Sequence, residues 1–370
     1  MARPLRRDVF DSETIGVYHC FNRIVRRSFL CGFDPVTQKD FAYRRDWFYQ
    51  RLRYLTRFFA IDMLAYAIMS NHYHLVLRNR PDQVARMDDR QVVTAWLMIC
   101  PKSQKQPDGT ALPPTEPEIE VELKTPGRVA DLRTRLSDPS WLIRQLSQYM
   151  GIRCNAEDDE TGHFWQSRFG MTRLLDEAAV LACLAYVDLN PLRAHAATSL
   201  EGYTQASIGE RLRTLEDEAI EPSSWLAPIA LASETDGQPA QAVDRMTREE
   251  IAAAVQAQAA QPRGCLSITF QQYVELLRWL SSGKPPSGPE PGRIEQPEPE
   301  AKSVLQQLSL DPEAFFDLVH HFRSRFATAA GCEASLREEA RRRGRRHLHA
   351  PGRRGLPPRA RQPACQPAAP

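Results

Sequence analysis

The stretch Leu64-Ala65-Tyr66-Ala67-Ile68-Met69-Ser70-Asn71-His72-Tyr73-His74-Leu75-Val76-Leu77 decides how the N-terminal part of the chain folds. Residues 61–69 and 72–78 are rich in apolar, aromatic and β-branched side chains and read as two strands, with Ser70-Asn71 as the tight turn between them. Upstream, residues 15–25 read as another strand. Over residues 40–59 the positions Phe41, Phe48, Leu52, Leu55 and Phe59 recur at helical spacing. Arg44, Arg45, Arg51, Arg53 and Arg57 fall between them, which gives a helix with a basic outer face. The first 80 residues therefore read β-α-β-β, the order of an α+β domain with helices on one face of an antiparallel sheet.

Downstream, residues 86–99 have a short helical pattern. Residues 101–126 carry six prolines and few apolar side chains, so a Pro-rich surface insertion is expected at about 100–135. An amphipathic helix resumes over 138–154, with Trp141, Leu142, Leu146, Tyr149 and Met150 on its apolar side and Asp138 or Ser140 at its cap. His163-Phe164-Trp165-Gln166-Ser167-Arg168-Phe169 reads as a short strand or extended loop. Asp176 caps a further helix through Ala178, Val180, Leu181, Leu184 and Val187 to about Asn190, with Pro191 near its end. A first unit over 1–212 results. Residues 213–300 read as a mixed helical region, with pieces at 248–260 and 268–281, and a Pro-rich linker. Residues 301–350 read as a small helical segment and 351–370 as a disordered Pro/Arg tail.

The chain has 370 residues, 42% of them apolar and 25% charged, the make-up of an ordinary globular protein; collagen, a coiled-coil rod and wholesale disorder are excluded. No apolar run approaches the roughly 20 residues of a membrane span. Met-Ala-Arg-Pro-Leu-Arg-Arg at the start is not followed by an apolar core, so no signal peptide is expected and the expected location is the cytoplasm. Eight scattered cysteines without a C-x-x-C pair argue against a zinc ribbon and read as reduced packing residues. The net charge of +2 is unevenly spread. Residues 1–60 hold 12 Lys and Arg against 6 Asp and Glu, and residues 331–370 hold 10 Arg against 3 Glu. Basic ends on a neutral body fit a polyanionic partner, nucleic acid first, and equally fit solvated faces and a free tail.

Three constellations could carry chemistry. His72 and His74 alternate with Tyr73 on a strand, so both imidazoles share one face and could ligate one divalent metal, while Tyr73, Leu75 and Leu77 anchor the other face. A pair of surface histidines would have the same spacing. Tyr186 and Asn190 lie at i, i+4 on one helix face. The phenol is a candidate nucleophile if a nearby cation stabilises the phenolate, and the Asn190 carbonyl is a candidate third ligand for Mg²⁺. A core tyrosine beside a helix-ending asparagine fits the pattern too. In residues 163–169, aromatics interleaved with Gln166 and Arg168 could stack on bases and hold phosphates, or simply pack.

In this order, the pieces resemble the single-tyrosine HUH transposases, and among them the REP-associated tyrosine transposase group. The resemblance covers about residues 14–212. It rests on Val17-Tyr18-His19-Cys20-Phe21-Asn22-Arg23, on the strand ending His72-Tyr73-His74-Leu75-Val76-Leu77, on residues 163–169, and on Ala185-Tyr186-Val187-Asp188-Leu189-Asn190-Pro191-Leu192-Arg193-Ala194. It implies a ferredoxin-like antiparallel sheet with helices on its face, of HUH endonuclease type. It also implies cleavage and rejoining of single-stranded DNA carrying imperfect hairpins, through a 5′-phosphotyrosine. Carried over, Tyr186 is the nucleophile, and His72, His74 and Asn190 hold Mg²⁺ or Mn²⁺. The expected DNA contacts are His19, Asn22, Arg23, Arg44, Arg45, Trp165, Gln166, Arg168 and Arg193. The partner is single-stranded or hairpin DNA, a homodimer is allowed for, and no membrane is involved. A replication-initiator-like nickase, a domesticated DNA-binding regulator and a metal hydrolase are the alternatives.

Overall fold

The computed structural model describes residues 5–25, 30–35, 37–102, 112–200, 202, 206–216, 225–231, 264–282, 296–346 and 348. Strand β1 (Val17–Arg23) is followed by a short ribbon, β2 (Phe33–Asp34) with β3 (Lys39–Asp40), then helix α1 (Arg44–Thr56) and the hairpin β4 (Ile61–Ile68) and β5 (His72–Asn79). Five helices come next: α2 (Pro81–Arg86), α3 (Asp89–Ile99), α4 (Glu116–Lys124), α5 (Arg128–Leu136) and α6 (Pro139–Asp158). Strand β6 (Gly170–Leu174) leads into α7 (Glu177–Asp188), α8 (Asn190–Arg193) and α9 (Ser207–Glu216). The later described elements are α10 (Phe270–Ser282), α11 (Pro299–Gln307), α12 (Pro312–Arg325), β7 (Ala329–Ala330) and α13 (Glu333–Arg342).

Five strands form one sheet in the order β4-β5-β1-β6-β7. All its pairings are antiparallel except β6 with β7. The hairpin turn closes at Ser70-Asn71, where the Met69 amide donates to the His72 carbonyl (2.8 Å). The β1/β5 register sets Arg23 opposite His72 and Phe21 opposite His74.

Helices cover both faces of this sheet, which corrects the expectation of one covered face. Every residue of β4 and all but the first of β5 are buried, so neither face meets water. On one side Phe48, Leu52, Tyr66, Tyr73, Leu75 and Leu77 pack with α3, α5 and α6 through Val92, Leu136 and Leu146. On the other, Leu64 and Val76 pack with α7 and with Tyr273, Val304, Phe315 and Val319 from the later helices. Helix α7 is buried on nearly all sides, and its apolar composition all round is what such a central helix requires. Asp176 caps it, accepting from the Ala179 amide (2.9 Å), while its second oxygen accepts from the Cys332 amide (2.7 Å).

Several expectations change here. The Pro-rich insertion is not merely a surface excursion: α4 and α5 bury Ile119, Leu132 and Leu136 in the core. The segment 301–350 is not separate, because β7 extends the main sheet and α12 packs into the α7 core. Residues 163–169 form a loop with a single bridge, Trp165 to Ile24. Cys20, Cys31, Cys154, Cys183 and Cys265 are buried free thiols, whereas Cys332 is disulfide-bonded. The expected helix at 248–260 and the tail 351–370 lie outside the described residues, as does most of the Pro-rich linker. Among the described residues, no helix is long and apolar enough to cross a membrane.

Candidate functional site

Strand alternation puts His72 and His74 on the α7 face of β5, with ring centroids 5.1 Å apart. His74 is 1% exposed; His72 is half-buried. From the neighbouring β1, His19 Nε2 meets His74 Nδ1 at 2.9 Å, so one of these two nitrogens donates and the other accepts. Burial, then the charge of Arg323, pushes His19 down to about 3. Burial, then Arg23 and Arg323, pushes His72 down to about 4. Burial and the neighbouring histidines also hold His74 well below its ordinary value. All three imidazoles are therefore neutral near pH 7, the form a metal ligand needs.

Helix α7 brings Tyr186 to this pair. Its ring lies edge-on to His74 (5.3 Å, 82°) and to His19 (5.8 Å, 78°). One turn on, Asn190 brings its side-chain amide close enough to influence both the phenol and His72. Phe322 of α12 stacks on the Tyr186 ring (5.8 Å, 28°), leaving Tyr186 8% exposed. Burial raises the phenol above its ordinary 10.0, and the Arg323 and Arg193 guanidiniums and the nearby Asn190 amide oppose it.

His72, His74, Tyr186 and Asn190 thus meet in one place. Among the described residues there is no group of three or more His, Cys, Asp and Glu placed to hold a metal. Two imidazoles and an amide oxygen are nevertheless a donor set for a divalent ion. His74 Nε2 is buried without a hydrogen-bond partner, while His74 Nδ1 is taken by His19 and His72 Nδ1 by Asn71 (2.7 Å). An orphaned ligand nitrogen beside a second imidazole fits a metal.

A small pocket opens beside the histidines, lined by Phe21, Asn22, Arg23, His72, His74, Gln166, Ser167 and Arg323. Of the expected DNA contacts it gathers Asn22, Arg23 and Gln166. Arg168 is exposed on the same loop. Two others, His19 and Arg44, are corrected because they are buried, while the half-buried Trp165 and the exposed Arg193 each make hydrogen bonds within the fold. His19 is buried behind His74 and orients it instead of facing a ligand. Arg44 is 1% exposed and turns away from solvent to pair with Glu157 (2.6 Å) and Asp158 of α6. Trp165 donates its indole N–H to the Ser147 carbonyl (2.9 Å) and packs edge-on to Tyr73. Arg193 donates to the carbonyls of Val319 (3.3 Å) and His320, tying α8 to α12. Arg45 is half-buried on α1 beside Cys31, outside the pocket lining. Sequence reasoning missed Phe21, Phe322 and Arg323. Phe21 stood within the opening motif, whereas nothing in the pattern of 312–325 linked it to Tyr186.

Compared with protein-family models and with curated proteins, the chain matches none. Among solved structures it is similar, at a low level, to a REP-associated tyrosine transposase bound to a REP hairpin. The TM-score is 0.34 and the identity 12%, covering 64% of this chain and 96% of that one.

Proposed function

We propose that this chain is a metal-dependent DNA endonuclease and strand transferase, cleaving and rejoining single-stranded DNA near hairpins. The observation that carries this reading is the meeting of Tyr186 with the histidine pair: the phenol ring lies 5.3 Å from His74, with Asn190 one turn further along the chain. The strand order β4-β5-β1-β6, with α1 and α6 packed on one side, supports a ferredoxin-like sheet of HUH type beneath the site. In the reaction, Tyr186 Oη bonds to phosphorus as the bond from phosphorus to the 3′-oxygen breaks. The proton lost by the phenol is balanced by the one gained by the 3′-oxygen. The products are a 5′-phosphotyrosine and a 3′-hydroxyl, and the retained ester allows rejoining without ATP. Bound Mg²⁺ or Mn²⁺, held by His72, His74 and Asn190, would neutralise charge on the phosphate. His19 fixes the His74 ring, Phe322 stacks on the phenol ring, and Arg23 and Gln166 offer donors to the DNA backbone. A cytoplasmic location and action as a monomer or homodimer belong to the same proposal.

A second reading, a hairpin-binding regulator without cleavage, draws on the Phe322 ring that covers Tyr186. One experiment separates the two. The chain is mixed with a single-stranded hairpin oligonucleotide, with Mn²⁺ or with EDTA, and cleavage products are resolved on a denaturing gel. Cleavage with Mn²⁺ that EDTA and His74→Ala both abolish supports the enzyme. Tight binding with no cleavage under any metal supports the regulator and overturns the enzyme.

A further inference from the structure

The pocket beside His72 and His74 has no carboxylate in its lining, and two of its walls are guanidiniums, Arg23 and Arg323. Arg323 reaches it because α12 is broken at its end. His321 has non-helical angles (φ −115°, ψ 17°), and the Arg193 guanidinium donates to the carbonyls of Val319 and His320 next to that break. The last turn then sends Phe322 inward onto Tyr186 and Arg323 over Phe21, its guanidinium carbon 4.4 Å from the ring centroid. Stacking on Phe21 holds the planar group by its face and leaves its edge N–H donors free to form a fork. Arg323 is exposed, and no ion pair to a carboxylate is found for it among the described residues, whereas Arg325, two residues on, is paired with Asp317. Its charge is felt at His19, His72, His74 and Tyr186 alike. A stacked, unneutralised guanidinium facing neutral imidazoles and a second arginine is a seat for an anion.

We propose that Arg323 clamps a phosphodiester of a single-stranded nucleic acid against the histidine pair, opposite Arg23, so that α12 completes the site. The placement of that phosphate beside Tyr186 rests on the strand-cleavage reading, but the clamp itself is tested without cleavage. In EDTA, binding of a fluorescent single-stranded hairpin oligonucleotide is titrated across salt for the full chain, Arg323→Ala, Arg323→Lys and, as a charge control, the exposed Arg337→Ala. Arg323→Ala is expected to weaken binding about tenfold and to lower the salt slope by about 0.7, the share of one phosphate contact on a single strand. Arg323→Lys should keep most of the slope while losing affinity, because the fork is gone, and Arg337→Ala should match the parent. Melting curves that coincide exclude a folding effect. Affinity and slope unchanged in Arg323→Ala overturn the clamp even where the parent cleaves DNA. Arg323-dependent binding of inorganic phosphate with no change toward the oligonucleotide also overturns it, marking a free-anion site. Arg323-dependent oligonucleotide binding by a chain that never cleaves upholds the clamp and removes the cleavage reading instead.

Discussion

Asp188 fixes the C-terminal end of the helix that carries Tyr186. Its buried carboxylate accepts from Ser207 Oγ (2.6 Å) and the Ile208 amide (3.1 Å) on one oxygen, and from the Tyr273 hydroxyl (2.7 Å) on the other. Asp188→Ala leaves two buried donors, the Ile208 amide and the Tyr273 hydroxyl, without an acceptor, because Ser207 Oγ can turn to the Tyr66 carbonyl (3.3 Å). At about 1–3 kcal/mol each, the loss is about 2–6 kcal/mol. Asp188→Asn behaves differently. Its Oδ1 still accepts from Ser207 and Ile208, and its amide N–H donates to the Tyr273 hydroxyl, which rotates to accept. Burial already raises the Asp188 carboxyl above its ordinary 3.8, so a neutral amide avoids a charge that the site carries at a cost. The Tyr273 O–H then lacks an acceptor, so the amide variant should lose about 1–3 kcal/mol, less than Asp188→Ala. Urea unfolding followed by far-UV circular dichroism, at constant m, measures both. The reasoning fails if Asp188→Ala unfolds within about 0.5 kcal/mol of the parent, or if Asp188→Asn is as damaged as Asp188→Ala.

Gly170 lies where a Cβ would come 2.2 Å from Phe21 Cζ, so Gly170→Ala must push the Phe21 ring, and with it Arg323, out of place. A destabilisation of about 1–3 kcal/mol with weakened oligonucleotide binding is expected by urea titration and anisotropy; a Gly170→Ala/Phe21→Leu pair should recover stability but not binding, because the ring under Arg323 is gone. Arg44→Ala should cost about 1–3 kcal/mol by breaking the link from α1 to Glu157 and Asp158, while DNA affinity stays within about twofold, as a filter-binding assay would record. Burial alone would raise the Glu339 carboxyl, but hydrogen bonds from Arg342 and Arg343 and the charge of Arg173 outweigh it and hold it below its ordinary 4.5. A depressed carboxyl stabilises the fold above its ordinary value and loses that contribution as pH falls through it. The melting temperature of Glu339→Gln should accordingly drop less than the parent's between about pH 5 and pH 3, as scanning calorimetry would measure.

The hairpin of β4 and β5 was legible because Ser70-Asn71 punctuates two apolar runs. The helix of Tyr186 was legible because Asp176 opens it and Pro191 stands near its end. Strand alternation was enough to put His72 and His74 side by side, and helical spacing to put Asn190 one turn beyond Tyr186. Contacts distant in sequence were not legible. The two alanines of β7 are too short a strand to show alternation, and they need β6 beside them to be a strand at all. Arg44 reads as an outer-face cation until Glu157 and Asp158 arrive from α6. His19 reads as a groove residue until the β1/β5 register slides it behind His74. Helix α7 is apolar all round, so periodicity could not say which of its faces meets the histidines. Arg323 depends on a local break at His321 that composition does not reveal.

The central claim is that the Tyr186 phenol attacks DNA, and mapping the attached residue tests it most directly. The full chain is incubated with Mn²⁺ and a hairpin oligonucleotide, denatured, digested with nuclease and protease, and the peptide carrying a residual nucleotide is sequenced by mass spectrometry. The expected result is one modified peptide with the nucleotide on Tyr186, absent from Tyr186→Phe, whose fold and DNA affinity are kept. A denaturation-resistant adduct that still forms in Tyr186→Phe, with the nucleotide on Tyr149, Tyr73 or another side chain, would contradict the account.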